Sequence, residues 1–345
     1  MSVSRSFRSN RAAALFLLAA GGLALAACGK GTSTPPPVVD LKVGIVSYTS
    51  FAPLFIAKEE GYFSEQNLNV EFEMFENSTL IMPALEQGQL DAAGDAPVAG
   101  LFNAINQTGN IKIVADRGFA DANGCNYMAI LANADWAAAH PTPTAEDLRG
   151  VRVSVDQNTF QAYVVETFLG TVGLSLADVK AQYIPPPNLI EAAKNGSVDF
   201  ISTAEPWVTR LLDTGKMVVY TSYQAVVPNM QSGFLNYGKR LAKDNPEIGN
   251  RFMIAYLKAV RQFNQGKTDR NVAIMAQYTK LAPDLLRRVC WPTMRGDGQV
   301  DLTTLMDYQN WAVGKGQLAK AAAEDLIWDP QFINNANKVL GAPAS

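Results

Sequence analysis

From Leu41 onward, apolar and polar positions follow two alternating rhythms. Short β-branched or alternating runs, "LKVGIVSY" (41–48) and "NVEFEMF" (69–75), carry the pattern of strands. Between them "APLFIAKEEGYF" (52–63) reads as a helix that ends near Gly61. "LIMPALEQG" is helical up to Gly88, "LDAAG" is a short buried strand, "APVAGLFNAINQ" a helix and "IKIVADR" a strand. After "HPTPT" the same grammar restarts. "VRVSV" (151–155), "VKAQYI", "VDFIST" and "MVVY" read as strands. "TFQAYVVETFLGTVG", "NLIEAAKNG" and "EPWVTRLLDTG" read as the helices between them. From Asn245 the pattern is mostly helical, as in "EIGNRFMIAYLKAVRQFNQG" and "LTTLMDYQNWAVGKGQ". Strands and helices alternating at short spacing predict an α/β chain with parallel sheets covered by helices.

The two α/β halves share a local repeat. "ALEQGQLDAAGDAP" (84–97) can be laid on "AAKNGSVDFISTAEP" (192–206), with Gly88 on Gly196 and Asp91 on Asp199. Each unit reads helix, glycine stop, aspartate at a strand start, strand, and a proline-marked helix start. Glycine suits a left-handed C-cap and proline a first helical turn.

Upstream the pattern is different. Arg5, Arg8 and Arg11 form a basic head, followed by sixteen apolar, uncharged residues, "AAALFLLAAGGLALAA" (12–27). That is short of the ~18–20 apolar residues of a spanning helix, and it has the layout of a secretory signal. Leu25-Ala26-Ala27-Cys28 resembles the bacterial lipoprotein box, which implies cleavage before Cys28 and lipid (palmitate among it) on that residue. "GKGTSTPPPVV" (29–39) has nothing to bury and reads as a tether. The expected organisation is a signal peptide at 1–27 and a lipid-anchored tether at 28–39. The domain would then lie on the extracytoplasmic face of the cell membrane.

Charge and rare residues narrow the chemistry. Removing the leader takes away three arginines and no acid, leaving 26 basic against 32 acidic residues, a net charge of −6. That balance, without a Lys/Arg run, argues against nucleic acid. Besides Cys28 the cysteines are Cys125 and Cys290, far apart and outside any Cys-x-x-Cys. They are expected to be two unpaired buried thiols, with a disulfide as the alternative. The single histidine, His140, lies in the loop "HPTPT". It offers no triad, no zinc pair and no Cys–His dyad. No catalytic residue, cofactor or metal site is expected.

Four stretches resemble one family. "AKEEGYFSEQNLNVEF" resembles the signature A-x-x-x-GYF-x-x-x-GL-x-V, with Asn67 where glycine is preferred. "EDLRGVRVSV", "GSVDFISTAEPW" and "DGQVDLTTLMDYQNWAVGKGQL" resemble its later motifs, in order. The family is the extracytoplasmic solute-binding proteins of ABC importers for nitrate, sulfonates, taurine and thiamine precursors, which also includes a thiamine-pyrimidine-synthase-like enzyme. The resemblance implies a two-lobed periplasmic-binding-protein fold (type II) with a ligand cleft between lobes and a helical C-terminal third. It places lobe 1 at 40–126, a crossing at 127–131, lobe 2 at 132–228, a return crossing at 229–237 and the helical C-terminal part of lobe 1 at 238–345. It implies a monomer that hands a small solute to a membrane permease with its ATPase. The enzyme's cysteine-rich motif and histidines are not matched here.

In sheets of this kind ligands lie beyond the carboxyl ends of the strands. The loops there are "SYTSF" (47–51), "GDAP" (94–97), "DQNTF" (156–160) and "AEPW" (204–207). They nominate Tyr48, Phe51, Asp95, Asp156, Asn158, Phe160, Glu205 and Trp207 as ligand-binding residues, with Tyr127 at the first crossing. Asn158 has a second reading as a helix cap paired with Gln161. Glu205 has one as a group favouring its helix N-terminus. Aromatic rings with carboxylates suit a flat heteroaromatic solute, such as a thiamine-precursor pyrimidine or riboflavin. Nitrate, taurine or an alkanesulfonate is the alternative, and would call for Arg or Lys. Arg117 is the nearest, and is expected in a surface or inter-lobe ion pair. Trp291 is expected in the core.

Overall fold

Leu41, Val43 and Ile45 alternate along β1 (Val39–Ile45) and are at most 1% exposed, so the first apolar run becomes a strand inside a core. The computed structural model describes residues 37–46, 48–76 and 78–343. The expected leader, Cys28 and the tether as far as residue 36 lie outside the described residues, as does Ser47.

On one side β1 pairs in parallel with β2 (Leu68–Met74) along its whole length. On the other it pairs in parallel with β3 (Ala92–Asp95). The strands that follow are β4 (Lys112–Phe119), β5 (Met128–Asn133), β6 (Arg152–Ser154), β7 (Lys180–Gln182), β8 (Phe200–Ala204), β9 (Met217–Ser222) and β10 (Gln231–Tyr237). They form two five-stranded sheets, ordered β2-β1-β3-β10-β4 and β7-β6-β8-β5-β9. The plan is the same twice, with β6 to β9 standing where β1 to β4 stand. Each sheet has a single antiparallel strand: β10 returns to the first sheet from beyond the second, and β5 is the strand by which the chain enters the second.

The crossings differ from expectation. Residues 128–131, expected to pass between lobes, lie within β5, and residues 231–237 of the expected return are β10. The physical reason is burial: β10 is buried throughout and β5 up to its last residue, so their backbone groups must be paired in a sheet. The chain leaves the first sheet after Phe119 and enters the second at Met128. It returns between Ser222 and Gln231 by way of the short helix Tyr223–Val226.

The repeated sequence is repeated structure. Gly88 and Gly196 end their helices with φ of 73° and 68°, the left-handed region that disfavours any Cβ. Asp91 accepts the Lys42 N–H at 2.8 Å and Asp199 accepts the Arg152 N–H at 2.8 Å. Each aspartate thus ties the start of its strand, β3 or β8, to the strand beside it. Each also binds an arginine, Arg240 at 2.9 Å and Arg152 through Nε at 2.9 Å. Asn67 has φ of 53°, which accounts for glycine being preferred there; asparagine tolerates that conformation.

The C-terminal third is helical. Pro246–Phe263 packs against Ala52–Glu59 and against Gln331–Leu340, covering the first sheet. Leu302–Gly314 instead reaches the second sheet's helix Phe160–Gly170, where Tyr163 meets Tyr308 and Trp311. Trp291 is in the core, stacked on Phe263 with its ring N–H on the Leu286 carbonyl at 2.9 Å. Among the described residues no helix is long and apolar enough to cross a membrane.

Cys125 and Cys290 form a disulfide, which corrects the expectation of two unpaired thiols. Their 165-residue separation hides a Cα–Cα distance of 5.8 Å. The bond fastens the first crossing to the C-terminal part. Closing so long a loop is worth about 5 kcal/mol in the chain-entropy model, and measured losses are typically ~2–5 kcal/mol. Replacing both cysteines with serine is expected to lower unfolding stability by about that range. Urea denaturation with and without reductant checks it: reductant should reproduce the loss in wild type, and an unchanged midpoint argues against the bond.

Candidate functional site

The carboxyl ends of the parallel strands in the two sheets open onto one cleft, enclosing about 960 Å³ with its mouth included. From the first sheet come Tyr48, Ser50 and Phe51 after β1, Ala96 and Val98 after β3, Arg117 on β4, and Ser232 and Gly233 on β10. From the second come the end of β6 with Asp156, the helix start with Thr159, Phe160 and Gln161, Tyr183 after β7, and Ser202 to Ala204 of β8. Tyr127 lines it from the first crossing.

The walls touch at one side. Val98 bridges Thr159, and the Phe160 N–H donates to the Pro97 carbonyl at 3.0 Å. Thr159, not Asn158, caps the helix Phe160–Gly170, accepting the Gln161 N–H at 3.2 Å. Asn158 is exposed and does not line the cleft; its N–H closes a turn on Asp156 Oδ1 at 3.2 Å.

Arg117 forms part of the floor, where a surface or inter-lobe ion pair had been expected. It is 4% exposed. Its guanidinium lies over the Phe51 ring at 3.9 Å. It donates to the Asp95 carbonyl at 2.8 Å, to the Ser50 hydroxyl and, at 3.5 Å, to the Phe234 carbonyl. One side chain thus ties together the loops after β1 and β3 and the strand β10. Glycine makes room for it: a Cβ on Gly94 would run into Phe51, and one on Gly233 would lie 3.0 Å from the guanidinium. Burial pushes the Arg117 pKa down from its ordinary value, with the phenols and carboxylates around it opposing.

Besides Asn158, three nominated side chains lie elsewhere. Asp95 is fully buried, with Oδ1 on the Ala96 N–H at 2.7 Å, and does not line the cleft. Glu205 is 3% exposed and caps its own helix, accepting the Thr209 N–H at 3.0 Å and its hydroxyl at 2.8 Å. It also accepts the Cys290 N–H at 3.1 Å, joining β8's end to the disulfide. Trp207 is half-buried under Arg210, whose guanidinium is 4.9 Å from its ring, and is not in the cleft wall. Tyr48, Phe51, Tyr127, Asp156 and Phe160 do line it. Sequence reasoning passed over Tyr183 and Gln161. Tyr183 ends "VKAQYI", so the strand-end rule could have found it.

Hydrogen bonding separates the structural polar groups from the available ones. Ser50 is engaged by Arg117, Ser202 by the Tyr223 hydroxyl, and Ser232 by the Gly118 carbonyl at 2.9 Å. The hydroxyls of Tyr48, Tyr183 and Thr203, the Gln161 amide and Asp156 Oδ2 have no protein partner among the described residues. Desolvation raises the Asp156 carboxyl above its ordinary value, and the Asn158 N–H only partly opposes it. No group of three or more His, Cys, Asp and Glu among the described residues is placed to hold a metal.

Two sheets of one plan, each with one antiparallel strand in the fourth place and together enclosing a cleft at their carboxyl edges, define the two-lobed periplasmic-binding-protein fold. The chain belongs to the NMT1-like family, whose model matches residues 34–278. A candidate binding protein of Brucella abortus (strain 2308) is 25% identical over 253 residues, covering 70% of this chain and 72% of that one. A ligand-binding component of an ABC-type import system from Staphylococcus aureus, crystallised with zinc, superposes with a TM-score of 0.71 at 18% identity, over 86% of this chain and 98% of that one. The alkanesulfonate-binding protein of Xanthomonas axonopodis pv. citri, bound to MOPS, gives 0.67 at 17% identity, over 85% and 99%.

Trp207 and Glu205 provide a test of these placements. Trp207→Ala is expected to leave solute affinity within about twofold, since the ring is outside the wall. Glu205→Gln is expected to cost ~1–3 kcal/mol of stability, because buried donors lose a charged acceptor. Burial raises the Glu205 carboxyl above its ordinary 4.5. The native state therefore holds that proton more tightly than the unfolded chain. This contribution is complete below the unfolded value and is lost as pH rises through the native one. The margin of wild type over Glu205→Gln should therefore widen as pH falls from 7 toward about 4.5. Calorimetry and urea melts of both variants read these outcomes.

Proposed function

We propose that this chain is the solute-binding component of an ABC importer and that its solute is a small heteroaromatic compound, such as a thiamine-precursor pyrimidine or riboflavin. The observation that carries this reading is the composition of the cleft. Five aromatic side chains, Tyr48, Phe51, Tyr127, Phe160 and Tyr183, share it with unengaged hydroxyl, amide and carboxylate groups. Flat rings are held by aromatic faces, and their N–H and carbonyl edges by such polar groups. The import role is supported by the family and by what the Staphylococcus protein is named for. A lipid anchor on Cys28, the extracytoplasmic face of the cell membrane and a monomeric state complete the proposal. The Cys125–Cys290 bond fits an oxidising compartment. The two sheets act as lobes 1 and 2, closing on the solute about residues 120–127 and 223–230 and presenting it to a permease with its ATPase.

A small oxyanion is the second reading, favoured by Arg117 in the cleft lining and by the sulfonate-binding relative. It is the weaker one, because the guanidinium is already held by Ser50, the Asp95 carbonyl and the Phe51 ring. A thermal-shift screen separates the two. Riboflavin or the aminopyrimidine precursor of thiamine is expected to raise the melting temperature, while taurine, nitrate and an alkanesulfonate leave it unchanged. A ligand at a hundred times its Kd adds about 2.7 kcal/mol, enough to register. Stabilisation by the anions alone overturns the heteroaromatic reading.

A further inference from the structure

Sequence reasoning offered three carboxylates at the strand ends to meet a solute. The fold engages two of them elsewhere. Asp95 lies beneath the floor, and Glu205 caps its helix and holds the Cys290 N–H. Asp156 alone brings a carboxylate into the cleft lining. Its Oδ1 closes a turn on Asn158, its Oδ2 has no protein partner, and no ion pair to it forms among the described residues. The one cation of the lining, Arg117, stands on the opposite sheet and is held there by Ser50, Asp95 and Phe51.

A half-buried carboxylate with no countercharge is costly in an empty cleft and more costly once a ligand expels the remaining water. A ligand edge that is cationic or rich in N–H donors removes that cost. An anionic edge, or one carrying only acceptors, adds to it, so the same group attracts one class and rejects the other. Tyr48 and Tyr183 lie near enough to feel the Asp156 charge. Their rings offer cation–π contacts to the same edge.

We propose that Asp156 is the specificity-determining residue of the cleft, selecting a solute whose ring carries a positive charge or an amino-substituted, protonatable nitrogen edge. This rests on the heteroaromatic reading above and narrows it: a nitrogen base is selected over a neutral flavin and over any oxyanion.

Isothermal titration of the purified chain tests it, with thiamine as a permanently cationic ring, its aminopyrimidine precursor, riboflavin, taurine and nitrate as probes. Wild type is expected to bind thiamine or the aminopyrimidine at least about tenfold more tightly than riboflavin. Asp156→Asn, which keeps the acceptor for the Asn158 N–H, is expected to weaken the nitrogen bases by roughly tenfold or more. Riboflavin should change by less than about threefold, and Asp156→Glu should recover part of the loss. A wild type that prefers riboflavin overturns the assignment, whether or not the variants fold, and leaves the heteroaromatic reading standing. Equal binding of the nitrogen bases to wild type and Asp156→Asn does the same. Taurine or nitrate binding more tightly than every heterocycle overturns that reading and the assignment together, as does the failure of all three heterocycles to bind.

Discussion

A guanidinium buried near the end of β4 ties together the floor of the cleft on the side of the first sheet. Arg117 reaches Ser50, the Asp95 carbonyl and the Phe234 carbonyl, and the Phe51 ring lies against its face. A charge taken so far out of water is tolerable only when its donors find acceptors and its face finds a partner. Here both come from the loops that make the floor. The requirement runs in the other direction too. Phe51 and Asp95 keep their places because the arginine needs them, and Gly94 and Gly233 are small because it passes so close. The floor is therefore preorganised before any solute arrives.

The second constraint is topological. The second sheet is one continuous stretch, β5 to β9, but the first is complete only when the chain returns to it as β10. Two connections, at 120–127 and 223–230, must then run side by side between the sheets, and the carboxyl edges come to face one another. The disulfide and the Glu205 carboxylate both act on this region, fastening Cys125 to Cys290 and Cys290 to the end of β8. Opposite them, Tyr308 and Trp311 of the C-terminal part pack on Tyr163 of the second sheet's helix. Polar groups bound on both sides leave the middle of the cleft with aromatic faces and a few unengaged donors and acceptors.

Much of the architecture was legible in the chain. Period and punctuation separated strand from helix, and the pairing of Gly88 with Gly196 and Asp91 with Asp199 foretold the duplicated plan. The strand-end rule named Tyr48, Phe51, Asp156 and Phe160, all of which line the cleft. What stayed hidden was set by distances in space. β5 and β10 look like connectors because their partners are non-local. The cysteines gave no sign of proximity across 165 residues. Glu205 and Asp95 have the right chemistry at the right strand ends, yet the local backbone uses Glu205 as a cap and buries Asp95 below the floor. Arg117 read as a surface residue because nothing in "IKIVADR" reveals that the end of β4 is covered by the loop after β1.

The account turns on where a solute rests and what surrounds it, and a crystal structure of the chain with its tightest-binding heterocycle measures that directly. The ring should lie between the two sheets, in contact with Tyr48 and Phe160, with a ring nitrogen or amino group within hydrogen-bond distance of Asp156 and Arg117 still bound to Ser50 and the Asp95 carbonyl. A heterocycle bound outside the cleft, or an Arg117 that swings from its partners to grip an anionic group of the ligand, would contradict it.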